Sequence, residues 1–172
     1  PSESSYCFAG CAKSETVCTK IHKTKKQEKT RPISVIVNTV EKIKDHLDLG
    51  KKGEELLKTN FGVPFTILFK KKTDLPCTSN DFLGVGIPLN KTSLKLCDLH
   101  PNPLTATSAN IFGNSTIYSP SEIKKHFGKE DFVFINAGEL KTRAPSTSYH
   151  FEENRILRAG EISLDEIKKV LK

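Results

Sequence analysis

Apolar positions along this chain switch between a period near four and a period of two, and the switches mark out an ordered series of helices and strands. Val17 and Ile21 stand four apart behind Ser14, which predicts a capped helix over residues 14–23. A polar, Lys-rich stretch runs to Arg31-Pro32, and residues 33–37 then form a β-branched run of strand type. Asn38 and Glu41 have the spacing of a capping box, so a helix carrying Val40, Ile43 and Leu47 is expected next, with another over 53–59. Strands are predicted at 63–69, 83–87 and 104–107. Ser119-Pro120-Ser121-Glu122 combines a capping box with proline in the first turn and opens a further helix. Residues 131–135 read as a strand, 147–151 and 155–157 as strands paired across a turn, and 163–171 as a closing helix. Strands and helices interleave without repeats or linkers. The expected class is α/β, a single domain over residues 1–172 with a twisted, open mixed sheet and flanking helices.

Composition supports that class. A chain of 172 residues is long enough to withdraw about two-thirds of its unfolded surface from water. Its 36% apolar and 27% charged residues exclude a disordered chain. No apolar run reaches the roughly 18 residues of a membrane span and no signal peptide is recognisable, so neither insertion nor secretion is expected. The chain begins at Pro1 and contains no Met, so an initiator and an upstream segment are expected to be missing. Cys7, Cys11, Cys18, Cys77 and Cys97 form no C-x-x-C pair and are odd in number, which predicts buried, reduced thiols in a reducing compartment, the cytoplasm, and no zinc site.

The net charge of +7 comes from 27 basic against 20 acidic residues. Such a surface attracts the phosphates of nucleotides or RNA. The basic residues are scattered and not interleaved with aromatics, so no stacking platform for bases is evident.

The common phosphate loops and nucleophile elbows are missing. In their place stand small-hydroxyl clusters: Ser2-Glu3-Ser4-Ser5, Thr105-Ala106-Thr107-Ser108-Ala109-Asn110 and Pro145-Ser146-Thr147-Ser148. Each can cap a helix or build a turn. Set in loops after strands, they can equally grip phosphate, carboxylate or amino groups.

Taken in order with their flanks, these clusters resemble one family. Pro1-Ser2-Glu3-Ser4-Ser5-Tyr6 is similar to the Pro-Thr-(Asp/Glu)-Thr-x-Tyr signature of YrdC-type threonylcarbamoyl-AMP synthases, and Lys25-Lys26-Gln27 sits where that family has Lys-x-Arg. Arg31-Pro32-Ile33-Ser34-Val35, Pro64-Phe65-Thr66-Ile67-Leu68, Thr107-Ser108-Ala109-Asn110, Ser146-Thr147 and Ile156-Leu157-Arg158-Ala159-Gly160 follow collinearly.

The resemblance implies a YrdC-like fold with a concave basic cavity. It also implies an enzyme, a nucleotidyltransferase, that joins L-threonine, bicarbonate and ATP into threonylcarbamoyl-adenylate with release of pyrophosphate. A partner transferase would pass the threonylcarbamoyl group to the adenosine beside the tRNA anticodon. By the same resemblance Lys25 and Arg31 would sit on phosphates, Ser108, Asn110 and Thr116 would hold the nucleotide, and Arg158 would close over it. Ser4, Ser146 and the backbone of Ala106 would contact threonine. Any metal would be Mg²⁺ carried on ATP, with none caged by the protein. The family's first strand, which precedes the signature, is expected to be missing.

Four positions depart from the family pattern. Gln27 replaces an arginine, Ile36 a polar residue that is often His, and Phe82 a small residue. Gly86 replaces an arginine used on the substrate carboxylate, with Lys91 as a candidate substitute. These changes predict weak threonine binding with ATP binding retained, and they predict that Gly86→Arg tightens threonine. They also leave two other readings: a non-catalytic RNA-binding member of the fold, and a carbamoyl-adenylate domain with another acceptor.

Overall fold

The computed structural model describes residues 1–172. Its main sheet has six strands in the order β5-β2-β4-β3-β7-β8: β2 is Val35–Ile36, β3 Phe65–Lys70, β4 Phe82–Gly86, β5 Leu104–Thr105, β7 Thr147–His150 and β8 Arg155–Arg158. Pairing is mixed, with β2–β4 and β3–β7 parallel and the other neighbours antiparallel. A separate antiparallel ribbon joins β1 (Cys7–Phe8) to β6 (Thr107–Ser108). Five helices flank these strands: α1 Glu15–Lys25, α2 Gly50–Lys58, α3 Lys91–Leu99, α4 Pro120–Phe127 and α5 Leu164–Val170. None is long and apolar enough to cross a membrane.

The sheet is built by period-two alternation. Ile67 and Phe69 of β3, Leu83 and Val85 of β4 and Tyr149 of β7 are fully buried and meet Val35 and Leu56 in one core. Local chemistry sets the helix starts. The Ser14 hydroxyl accepts from the Val17 amide at 3.3 Å, and Ser163 with Glu166 forms a complete capping box.

Several expected elements take another form. The helix expected after Asn38 is only a 3-10 turn, Val40–Lys42, because the Asn38 amide donates to Asp98 at 2.5 Å and no side chain caps the turn. Val40, Ile43 and Leu47 are nonetheless buried, so their spacing records a core-facing path and not a continuous helix. The expected capping box at the start of α4 does not form: Ser119 turns its hydroxyl to Ser121 at 2.6 Å, while Pro120 holds the first helical position.

Residues 131–135 have no ladder partner. Phe132 and Phe134 alternate inwards, against Phe8 at 5.0 Å and Tyr6 at 5.5 Å, and Val133 points outwards with 94% of its surface exposed. Helix α3 was hidden from pattern reading because its apolar face is thin: only Ser93 and Cys97 are buried. The strand expected over 104–107 breaks at Ala106, so that Leu104–Thr105 pairs in the main sheet and Thr107–Ser108 in the ribbon. That break opens the backbone onto a cavity.

Candidate functional site

The cavity has a volume of about 360 Å³ and lies where the ribbon approaches the main sheet. Its wall takes Ser2–Ser5 from the N-terminal loop, Ser34 just before β2 and Ile36 within it, Pro64–Thr66 at the start of β3, Gly86–Leu89 from the last residue of β4 onwards, and Ala106–Ser108 at the break. Thr116, Tyr118, Arg143, Ser146 and Arg158 complete it. Segments far apart in sequence are thus brought onto one surface, and most of what they present is hydroxyl and backbone.

Six of the nine candidate residues meet there: Ser4, Ala106, Ser108, Thr116, Ser146 and Arg158. The hydroxyls of Ser4, Ser108 and Thr116 have no partner within the protein. Ser146 is already ordered, since its hydroxyl lies 3.1 Å from that of Thr66 and accepts from Arg158 Nη2 at 2.6 Å. Arg158 Nε also donates to the Ser146 carbonyl at 3.0 Å, which fixes the guanidinium plane on the rim. Gly160 explains the end of that motif: a Cβ there would lie 2.5 Å from the Pro145 carbonyl, so only glycine lets the Arg158 strand pass so close to the Ser146 loop. The Ala106 N–H is committed to the Ser34 carbonyl at 2.8 Å, so that donor is not available to a substrate.

The other three stand elsewhere. Lys25 is buried beneath the loop and not in the cavity: its ammonium bonds the carbonyls of Ser108 and Asn110, the latter at 3.0 Å. Burial without a carboxylate neighbour pulls its pKa down to about 8. Asn110 is buried too, and its amide donates to the carbonyls of Ile111 and Asn114, closing the turn that leads to Gly113 at φ +84°. Both residues shape the loop that displays Ser108. Arg31 is exposed and stacks on the Phe112 ring at 3.9 Å.

The departures from the family pattern also find their places. Gln27 turns to the buried His22, 3.1 Å from Nδ1. Phe82 packs on His150 at 4.4 Å, away from the cavity, and Lys91 is exposed outside it. Ile36 and Gly86 do line it. A Cβ on Gly86 would lie 2.6 Å from the Phe65 carbonyl on the neighbouring strand, so this backbone has no room for the arginine expected to tighten threonine.

Two charged residues of the cavity wall were not singled out in the sequence. Glu3 accepts from the Leu89 amide at 2.6 Å and from both nitrogens of Asn90, pinning the N-terminal loop to the start of α3. Its place inside the Ser-Glu-Ser-Ser motif was the available signal. Arg143 lines the cavity from an irregular segment, and no pattern pointed to it. No group of three or more His, Cys, Asp or Glu side chains is placed to hold a metal ion.

The comparisons with known proteins agree with this architecture. A Methanocaldococcus jannaschii protein provisionally named threonylcarbamoyl-AMP synthase is 28% identical over 95% of this chain and 79% of its own length. Pyrococcus abyssi Sua5, solved in complex with L-threonine, superposes with a TM-score of 0.87 at 27% identity over 99% of this chain. This chain spans about half of that protein, 52% of its length. Escherichia coli YciO, at 18% identity and a TM-score of 0.81 over 97% of this chain and 84% of its own, shares the fold. The profile of the Sua5/YciO/YrdC family, described as telomere recombination, matches residues 1–160, and the chain belongs to that family.

Proposed function

We propose that this chain is an L-threonylcarbamoyladenylate synthase, making the adenylate and pyrophosphate from L-threonine, bicarbonate and ATP. The observation that supports this reading is the meeting of two residue sets in one cavity. Ser108, Thr116 and Arg158 suit a nucleotide, and Ser4 and Ser146 suit a small hydroxylated amino acid. Relatives bearing the synthase name share 26–28% identity with it.

The chemistry needs no nucleophilic side chain. The threonine amine attacks the carbon of bicarbonate, water leaves, and a carbamate forms. A carbamate oxygen then attacks the α-phosphorus, the bond from that phosphorus to the bridging α–β oxygen breaks, and pyrophosphate leaves with the electron pair. Rate comes from holding three anions in line and stabilising the charge that develops. Arg158, fixed by Ser146, is the forked donor for phosphate. Lys25 and Asn110 act from behind the wall by setting the position of Ser108. Mg²⁺ arrives with ATP as part of the substrate. The product would go to a transferase acting on tRNA adenosine beside the anticodon, which sets the reaction in the cytoplasm.

The test is pyrophosphate release from ATP with threonine and bicarbonate present or singly omitted. Release that requires both supports the synthase. ATP turnover indifferent to threonine, or tight RNA binding that weakens steeply with salt and no turnover at all, would overturn it.

A further inference from the structure

The cavity wall carries the charged side chains Glu3, Arg143 and Arg158. Two of them are committed. Glu3 is held by the backbone amides of Leu89 and Asn90, and Arg158 by both oxygens of Ser146. Arg143 forms no hydrogen bond or ion pair with any protein group.

Apart from Arg158, which is bonded to Ser146, no cation other than Arg143 lines the cavity on the amino-acid side. Ser4, Ala106 and Ser146 offer hydroxyls and backbone, Ile36 is apolar, and Gly86 has no room for any side chain against the Phe65 carbonyl. A carboxylate brought into such a place loses water and needs a cation in return. Arg143 stands three residues before Ser146, in a segment anchored on both sides. The Leu140 amide donates to the Tyr118 carbonyl at 3.0 Å, and the Thr147 amide to the Pro64 carbonyl at 3.1 Å. The backbone therefore holds Arg143 at the wall while its guanidinium stays uncommitted, and a guanidinium fork matches a carboxylate.

We propose that Arg143 binds the carboxylate of the amino-acid substrate in this chain. The cation that selects the substrate then comes from the segment before β7 and not from the end of β4. This rests on the synthase reading above and offsets the loss of charge at Gly86, so threonine binds with ordinary affinity.

The test titrates L-threonine and L-threoninamide, whose carboxylate is replaced by a neutral amide, into the full chain loaded with a non-hydrolysable ATP analogue. The unaltered chain prefers threonine. Arg143→Ala, an exposed substitution that disturbs no packing, should weaken threonine by about 10- to 100-fold, the range for losing a charged hydrogen bond. It should also abolish the preference over threoninamide and leave the affinity for the ATP analogue unchanged, while Arg143→Lys restores part of the preference. A role confined to ordering the segment would weaken threonine and threoninamide alike. Such parallel loss, unchanged threonine binding, or loss of nucleotide affinity in its place overturns the assignment alone. An unaltered chain that takes the ATP analogue but no threonine overturns the synthase reading and this assignment together.

Discussion

The ammonium of Lys25 donates to the main-chain carbonyl of Asn110 at 3.0 Å, from within the protein and not from the cavity. It also bonds the Ser108 carbonyl, so one buried cation ties together both ends of the Ser-x-Asn turn. The Asn110 amide closes the same turn through Ile111 and Asn114. A loop rich in small residues has little packing of its own to fix it. Here a buried ammonium supplies the rigidity that lets Ser108 face the cavity in a defined direction.

Lys25→Met keeps the apolar stem and removes the donor, leaving the carbonyls of Ser108 and Asn110 without this partner. The expected cost is about 1–3 kcal/mol of stability. The pH dependence identifies the cause. In the folded chain the group titrates near 8, below the ordinary 10.5 it has when unfolded. Between those values the unfolded chain binds more protons, so the contribution of Lys25 to stability rises with pH across that window. The stability of the natural chain relative to the variant, from urea unfolding of both between about pH 7.5 and 9, should grow with pH. Identical pH slopes would mean that the ammonium is not buried as described.

Arg158 and Ser146 should behave as one unit. Arg158→Ala removes a charged fork from the rim and should raise the Kd for ATP by about 10- to 100-fold. Ser146→Ala frees the guanidinium and should cost less. Because each residue positions the other, the double variant should lose less than the sum of the two. Calorimetric titration of ATP into all four proteins measures the coupling, and additive losses would show that the bond between them has no bearing on nucleotide binding.

Much of this was legible in the sequence, and the reasons for the rest are physical. Ser14 and Ser163 cap helices as their spacing predicts, since a cap depends only on residues three apart. Asn38 did not, because an amide finds whichever partner the fold brings nearest, and Asp98 is sixty residues away. Residues 131–135 carry a true alternation, yet alternation reports burial on one side and not a strand partner. At the site, the order of hydroxyl clusters showed which segments converge. It could not show that Lys25 and Arg31 fall outside the cavity, because depth relative to a loop is a tertiary fact. Nor could it show Arg143, which sits in an irregular segment with no periodicity to read.

Gly86 tests how far this site can be changed. Added bulk there meets the Phe65 carbonyl at 2.6 Å, and a backbone oxygen in a paired strand yields only by moving the strand. Gly86→Ala should therefore destabilise the protein by about 1–3 kcal/mol, as overpacking does, and Gly86→Arg should do so at least as strongly without tightening threonine. Thermal unfolding of both variants beside a threonine titration checks this. A stable Gly86→Arg protein with tighter threonine binding would show that the strands part more easily than their pairing suggests.

The free thiols make the last prediction, because burial shifts them in the opposite sense to Lys25. Desolvation pushes Cys77 up to about 12 and Cys18 and Cys97 up to about 11, from an ordinary 9.0. Above pH 9 the unfolded chain therefore gives up these protons first, and stability that is fully present below 9 is lost as pH rises towards 11–12. Each thiol contributes a slope of about 1.4 kcal/mol per pH unit at most. With Lys25 acting upwards from about 8, the combined contribution peaks between about 8 and 9 and then falls. Urea unfolding from pH 8 to 11, in the presence of a reductant, should trace that peak. Cys77→Ala should lower stability slightly at pH 8, where the thiol only fills space, and should make the fall above pH 9 shallower. A descending limb unchanged by this substitution would place the Cys77 thiol in contact with water, against its position in the core.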